Sequence, residues 1–195
     1  MRKLIILLLI LSSCKKEVYY YPSKDFFEEY NPTEIVIDKL SFHKITDSIR
    51  NWLYRKEKYF LTTVDKRKEY KISPFTYTGG YIKEKNALEI VDDSIHVSVN
   101  KFPLTELSKY LKLHFENNGK VEYLSDSYKR AFIKLVLEKD NDGIKLKNLL
   151  LNVVKTYNET NIKHKKNIDL AIMFDYSLDE IVSIPSPPIS IVIEK

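Results

Sequence analysis

The most reactive side chain in the sequence is a single thiol. Cys14 is the one cysteine among 195 residues, so no internal disulfide can form, and its sulfur is free to act as a nucleophile or to carry a modification. The four histidines, His43, His96, His114 and His164, stand far apart, and none has another histidine or cysteine within a helical turn; this spacing predicts no zinc site. Asp140-Asn141-Asp142-Gly143 has the alternating oxygens and tight glycine turn that open a calcium loop, but Leu151 stands where the twelfth-position carboxylate belongs, and a plain turn is the reading. The acidic pairs Asp92-Asp93 and Asp179-Glu180 have the chemistry for acid/base work, yet each adjoins an element boundary, where carboxylates cap helices or stay solvated. With four glycines and no phosphate-cradling loop or nucleophile elbow, the sequence predicts no catalytic residue, no metal and no cofactor.

Cys14 has a context that explains it. Arg2 and Lys3 form a positive start, residues 4–11 are an unbroken apolar run, and Ser12-Ser13 brings small side chains up to the cysteine. This is the three-part layout of a secretory signal. An apolar run of eight residues covers only about 12 Å of a hydrocarbon core about 30 Å thick, so it cannot span a membrane. Leu11-Ser12-Ser13-Cys14 resembles the lipobox of bacterial lipoproteins. The resemblance implies cleavage before Cys14, a diacylglycerol on its sulfur and a membrane held by fatty chains, each buried methylene contributing about 0.8 kcal/mol. The competing reading is an ordinary cleaved signal with a cysteine beside the cut by chance. Lys15 and Lys16 stand where inner-membrane retention of such lipoproteins wants Asp, which points to the outer membrane without fixing the face.

Composition bounds the rest. Hydrophobic residues make up 44% of the chain and aromatics 12%, a globular composition with ample core. Removing Arg2 and Lys3 from the 32 Lys and Arg leaves 30 against 27 Asp and Glu, so the mature charge is near +3. The lysines are interleaved with acids, as in Asp65-Lys66-Arg67-Lys68-Glu69, and such a mixed surface argues against nucleic acid as the partner.

The elements that must position these groups follow from periodicity. Residues 1–13 read as the signal peptide, 14–32 as a lipid-anchored tether whose aromatics pack partly on the domain, and 33–195 as one α+β domain, a mixed sheet with two to three helices packed on it. Within that domain the pattern predicts a strand at 34–40, a helix at 46–60 and a hairpin across 70–91 about Gly79-Gly80. Residues 94–100 alternate strictly, with Ile95, Val97 and Val99 on one face and His96 on the other. A helix follows from Pro103 through Phe115, stopped by Asn117-Asn118-Gly119. A buried strand is predicted at 131–137, an amphipathic helix from Leu146 to Tyr157, and a second buried strand at 168–174. Ser177 and Glu180 suit a capping box, Pro185-Ser186-Pro187-Pro188 an extended link, and Ile189, Ile191 and Ile193 a last strand.

The β-α-β-α-β order of residues 94–174 resembles the periplasmic domain of the ExbD/TolR biopolymer-transport family. The residues that carry the likeness are Ile95-His96-Val97-Ser98-Val99, the helix through Leu104, Leu107 and Leu111, and Leu137-Glu138-Lys139-Asp140 leading into the second helix. The likeness implies an adaptor or dimerising unit. Energy coupling does not carry over, because that family works through an N-terminal spanning helix bearing an aspartate, and this sequence shows neither. Three functions remain open: a non-enzymatic lipoprotein whose domain binds a protein partner, an ExbD/TolR-like adaptor pairing with a second copy, and an envelope hydrolase or carbohydrate-binding protein.

Overall fold

A computed structural model describes residues 16–50, 57–76, 82–160 and 169–176. The protein is α+β. A four-stranded sheet has the order β1-β4-β3-β2, from β1 (Glu17–Tyr21), β2 (Thr33–Glu34), β3 (Tyr59–Asp65) and β4 (Lys68–Ile72). A six-stranded sheet has the order β5-β10-β9-β6-β7-β8, from β5 (Phe75–Thr76), β6 (Ala87–Val91), β7 (Ser94–Val97), β8 (Asn100–Pro103), β9 (Phe132–Leu137) and β10 (Ile172–Tyr176). Its first four strands in that order run parallel, and β7 and β8 add an antiparallel meander. Helices α1 (Lys24–Tyr30), α2 (Phe42–Arg50), α3 (Leu107–Glu116) and α4 (Gly143–Glu159), with short 3-10 turns at Glu84–Asn86 and Leu104–Glu106, complete the described elements.

One core joins both sheets. Ile133, Leu135, Leu88, Ile90, Ile95, Ile172 and Phe174, which share one face of the large sheet by alternation, are in the same buried cluster as Leu146, Leu150 and Val153 of α4 and Leu61, Tyr70 and Ile72 of the small sheet. β9 lies between two parallel neighbours, which is why Phe132-Ile133-Lys134-Leu135-Val136-Leu137 is almost continuously apolar. Helix α4 starts where Asp142 Oδ1 accepts the Lys145 amide at 2.8 Å. Its first residue must be glycine for steric reasons: a Cβ on Gly143 would lie 1.8 Å from the Ile37 carbonyl oxygen.

Three hairpin loops of two residues shape the sheets. Lys66-Arg67 joins β3 to β4, Asp92-Asp93 joins β6 to β7, and Ser98-Val99 joins β7 to β8; the first residue of each has positive φ.

Several sequence expectations change. The stretch read as a tether is largely folded: β1 pairs parallel with β4, Tyr21 is 1% exposed and Tyr19 stacks on Tyr70, so the folded body begins at Glu17 and not at residue 33. Tyr19 and Tyr21 are a strand's inner face, and parallel pairing with a partner about fifty residues away leaves no local turn signal. The strand at 34–40 shrinks to Thr33–Glu34, because Ile37 leaves the sheet to pack at the start of α4. The helix read at 46–60 runs over Phe42–Arg50, and Tyr59 and Phe60 belong to β3, whose Leu61 and Thr63 alternate inward. The hairpin at 70–91 does not form between its flanks, since β5 pairs with β10 and β6 with β9 and β7; Gly79-Gly80 lies outside the described residues. The strand at 94–100 ends at Val97, and Val99 is 91% exposed at a loop tip. The helices from Leu104 and Leu146 and the strand at 131–137 form as expected, and the last described strand begins at Ile172. The capping box, the proline link, the last strand and Cys14 all lie outside the described residues.

Candidate functional site

The face of the large sheet opposite the core carries a row of charges. Glu89 lies between His96 on β7 and Lys134 on β9 by strand register, and Asp175 lies two residues beyond Met173, the partner of Lys134. Alternation puts all four on one face. Lys134 Nζ is 2.9 Å from Glu89 Oε1 and 3.3 Å from Asp175 Oδ2. His96 Nδ1 is 3.9 Å from Glu89 Oε2, beyond hydrogen-bond distance. The row lines a cavity of about 640 Å³, with Phe132 and Met173 as apolar floor and Ile82 and Tyr123 among its walls.

Burial acts against the Lys134 ammonium, but its hydrogen bond to Glu89 and the charges of Glu89 and Asp175 outweigh that effect and hold it above its ordinary value. Lys134 is therefore a fixed cation, unsuited to nucleophilic or Schiff-base chemistry, which needs the neutral amine. Both carboxylates are engaged by the same ammonium. Glu89, Lys134 and Asp175 together carry one net negative formal charge over an apolar floor. This arrangement complements a cationic group flanked by apolar side chains.

A second polar cluster is closed to solvent. His114 Nε2 lies 3.0 Å from the Asn86 carbonyl, and Ser125 Oγ donates to Asn86 Oδ1 at 3.0 Å. Both side chains contact Asn86, and His114 and Ser125 are each 0% exposed, so the pair organises the loop after α3 and has no access to a substrate. Burial pushes the His114 pKa down to about 4, while the Asn86 and Phe132 backbones pull weakly the other way; Nδ1 has no partner at hydrogen-bonding geometry.

The residues singled out by sequence separate. Asp92 accepts from Lys145 Nζ at 2.6 Å and from Asn141 Nδ2 at 3.4 Å, tying the β6–β7 turn to the start of α4. Asp142 is the helix cap. Asp92 and Asp142 thus have architectural roles. His43 Nδ1 contacts Ser41 Oγ and the Lys139 carbonyl. His164 and Asp179-Glu180 lie outside the described residues. Among the described residues, no group of three or more His, Cys, Asp or Glu side chains is placed to hold a metal ion, and no helix is long and apolar enough to cross a membrane.

Of the charged row, sequence reasoning marked only His96. Glu89, Lys134 and Asp175 each stand alone in an otherwise apolar strand, Ala87-Leu88-Glu89-Ile90-Val91, Phe132 to Leu137 and Ile172 to Tyr176. A lone charge inside a buried-looking strand is the signal that marks them. Comparison of the chain with protein-family models, with curated proteins and with solved structures finds no match.

Proposed function

We propose that this chain is a lipid-anchored protein of the bacterial envelope, held at the outer membrane by fatty chains on Cys14, and that its α+β body is a non-enzymatic module that binds a protein partner through the charged sheet face. The anchor rests on Arg2-Lys3, the apolar run and Leu11-Ser12-Ser13-Cys14. The observation that carries the binding reading is the Glu89–Lys134–Asp175 row. Its ionisable groups hold each other in place over an apolar floor, a pattern that reads the shape and charge of a docked segment. The sheet edge is the weaker docking place, since β8 is four residues long and carries Lys101 and Pro103. The fitting ligand is a polypeptide segment presenting Lys or Arg between apolar side chains.

A photo-crosslinking residue at Ser98, which borders the cavity, tests this in intact membranes against the same residue at exposed Ile144 on α4. The reading expects a discrete protein adduct from position 98 that Glu89→Gln with Asp175→Asn, which turns the row net positive, abolishes. Equal adducts from both positions, or an adduct insensitive to that double substitution, overturn it.

A further inference from the structure

The folded body starts very close to the anchor. Three Cα steps separate Cys14 from Glu17, a reach of at most about 11 Å even when fully extended, and Glu17 already lies in β1. Its amide donates to the Arg67 carbonyl at 3.0 Å, and Glu17 registers with Lys68. The β3–β4 turn is therefore the part of the body that the lipid brings to the bilayer. That turn is Lys66-Arg67, followed by Lys68, and all three side chains are exposed. The acids around it are already engaged: Asp65 Oδ2 is 2.8 Å from Lys155 Nζ, and Glu69 lies 3.7 Å from Lys16 and 3.9 Å from Lys71. Neither Lys66 nor Arg67 makes an ion pair with a described residue. Val18 and Val64, which flank Glu69 across the sheet, are exposed beside the same end.

We propose that the Lys66-Arg67-Lys68 turn docks on anionic headgroups of the bilayer that carries the chain, so that the small sheet stands on the membrane and the body has a fixed orientation. This rests on the anchor at Cys14 proposed above. Charge and distance both select lipid: a basic side chain near an anionic surface gains about fivefold in contact, and the gain acts only within roughly a Debye length of about 8 Å at physiological salt. The opposite end of α4 is remote. Lys155, paired with the turn, is twelve residues from Gly143, about 18 Å along the helix.

The test uses the full lipidated chain in nanodiscs whose headgroups carry gadolinium chelates, and reads the broadening of backbone amide signals. In anionic discs the Lys66, Arg67 and Lys68 amides should broaden far more than Asp140, and the contrast should fall in neutral discs or at high salt. Lys66→Asn with Arg67→Gln, both at exposed turn positions and with Asn suited to the positive φ of residue 66, should lower the docked-to-free ratio about 25-fold. The same profile in neutral discs, or one unchanged by the double substitution, overturns the proposal. Intact mass of the same preparation reports separately whether Cys14 carries lipid. If it does not, the anchor reading fails by itself, and coupling Cys14 to a maleimide-headgroup lipid still lets the turn's contact be measured by the same broadening.

Discussion

His114 should make this protein acid-sensitive by a definite amount. Its ring is 0% exposed, and burial lowers its pKa from 6.5 to about 4. The unfolded chain takes up the proton first on acidification, so the stability from the neutral buried ring is fully present above pH 6.5 and is lost as pH falls toward 4. At pH 5 the loss is about 2 kcal/mol relative to pH 8, and below pH 4 it reaches about 3 kcal/mol, at 1.36 kcal/mol per unit. Urea unfolding at several pH values reads it as a fall in midpoint with an unchanged slope. Other groups titrate over the same range, so the decisive quantity is the difference from His114→Gln. The glutamine amide reaches about as far as Nε2 and can keep the donor to the Asn86 carbonyl, but it does not titrate. The variant should start less stable and lose about 2 kcal/mol less between pH 8 and pH 5. If both proteins lose the same stability over that range, the burial argument is wrong.

Gly143→Ala should destabilise by about 3 kcal/mol, at the upper end of overpacking costs, because the new Cβ meets the Ile37 carbonyl and not a movable side chain; thermal unfolding measures it. Asp142→Ala removes the cap of α4 and should cost about 1 kcal/mol, while Asp142→Asn, which keeps an acceptor, should recover most of it in the same assay. Tyr21→Ala should cost about 3 kcal/mol or more, since Tyr21 is buried against Tyr157 and its hydroxyl donates to Asn158. Were residues 14–32 a solvated tether, that substitution would leave the denaturation midpoint unchanged.

Periodic elements with local partners were legible from sequence. The α3 and α4 stripes repeat every three to four residues, and the apolar run of β9 leaves no choice but a covered strand. What escaped depends on distant pairing. Tyr19-Tyr20-Tyr21 becomes a strand only because β4 offers an edge, and Tyr59-Phe60 joins helix-like spacing to strand composition, which pairing with β2 decides. Val99 continued an alternation that the Ser98 turn interrupts, and positive φ at a serine has no strong sequence signature. The charged row was invisible as a group because strand order sets it: Glu89, Lys134 and Asp175 are 45 and 41 residues apart along the chain, and only the order β10-β9-β6 makes them neighbours.

The anchor proposed at Cys14 underlies both the proposed cellular placement and the proposed orientation of the body, and intact-mass spectrometry of the protein extracted from membranes tests it most directly. The expected product is a chain beginning at Cys14 with a mass increased by a diacylglycerol, with or without a further acyl chain. A chain that keeps residues 1–13, or one cut there with a free thiol on Cys14, contradicts it.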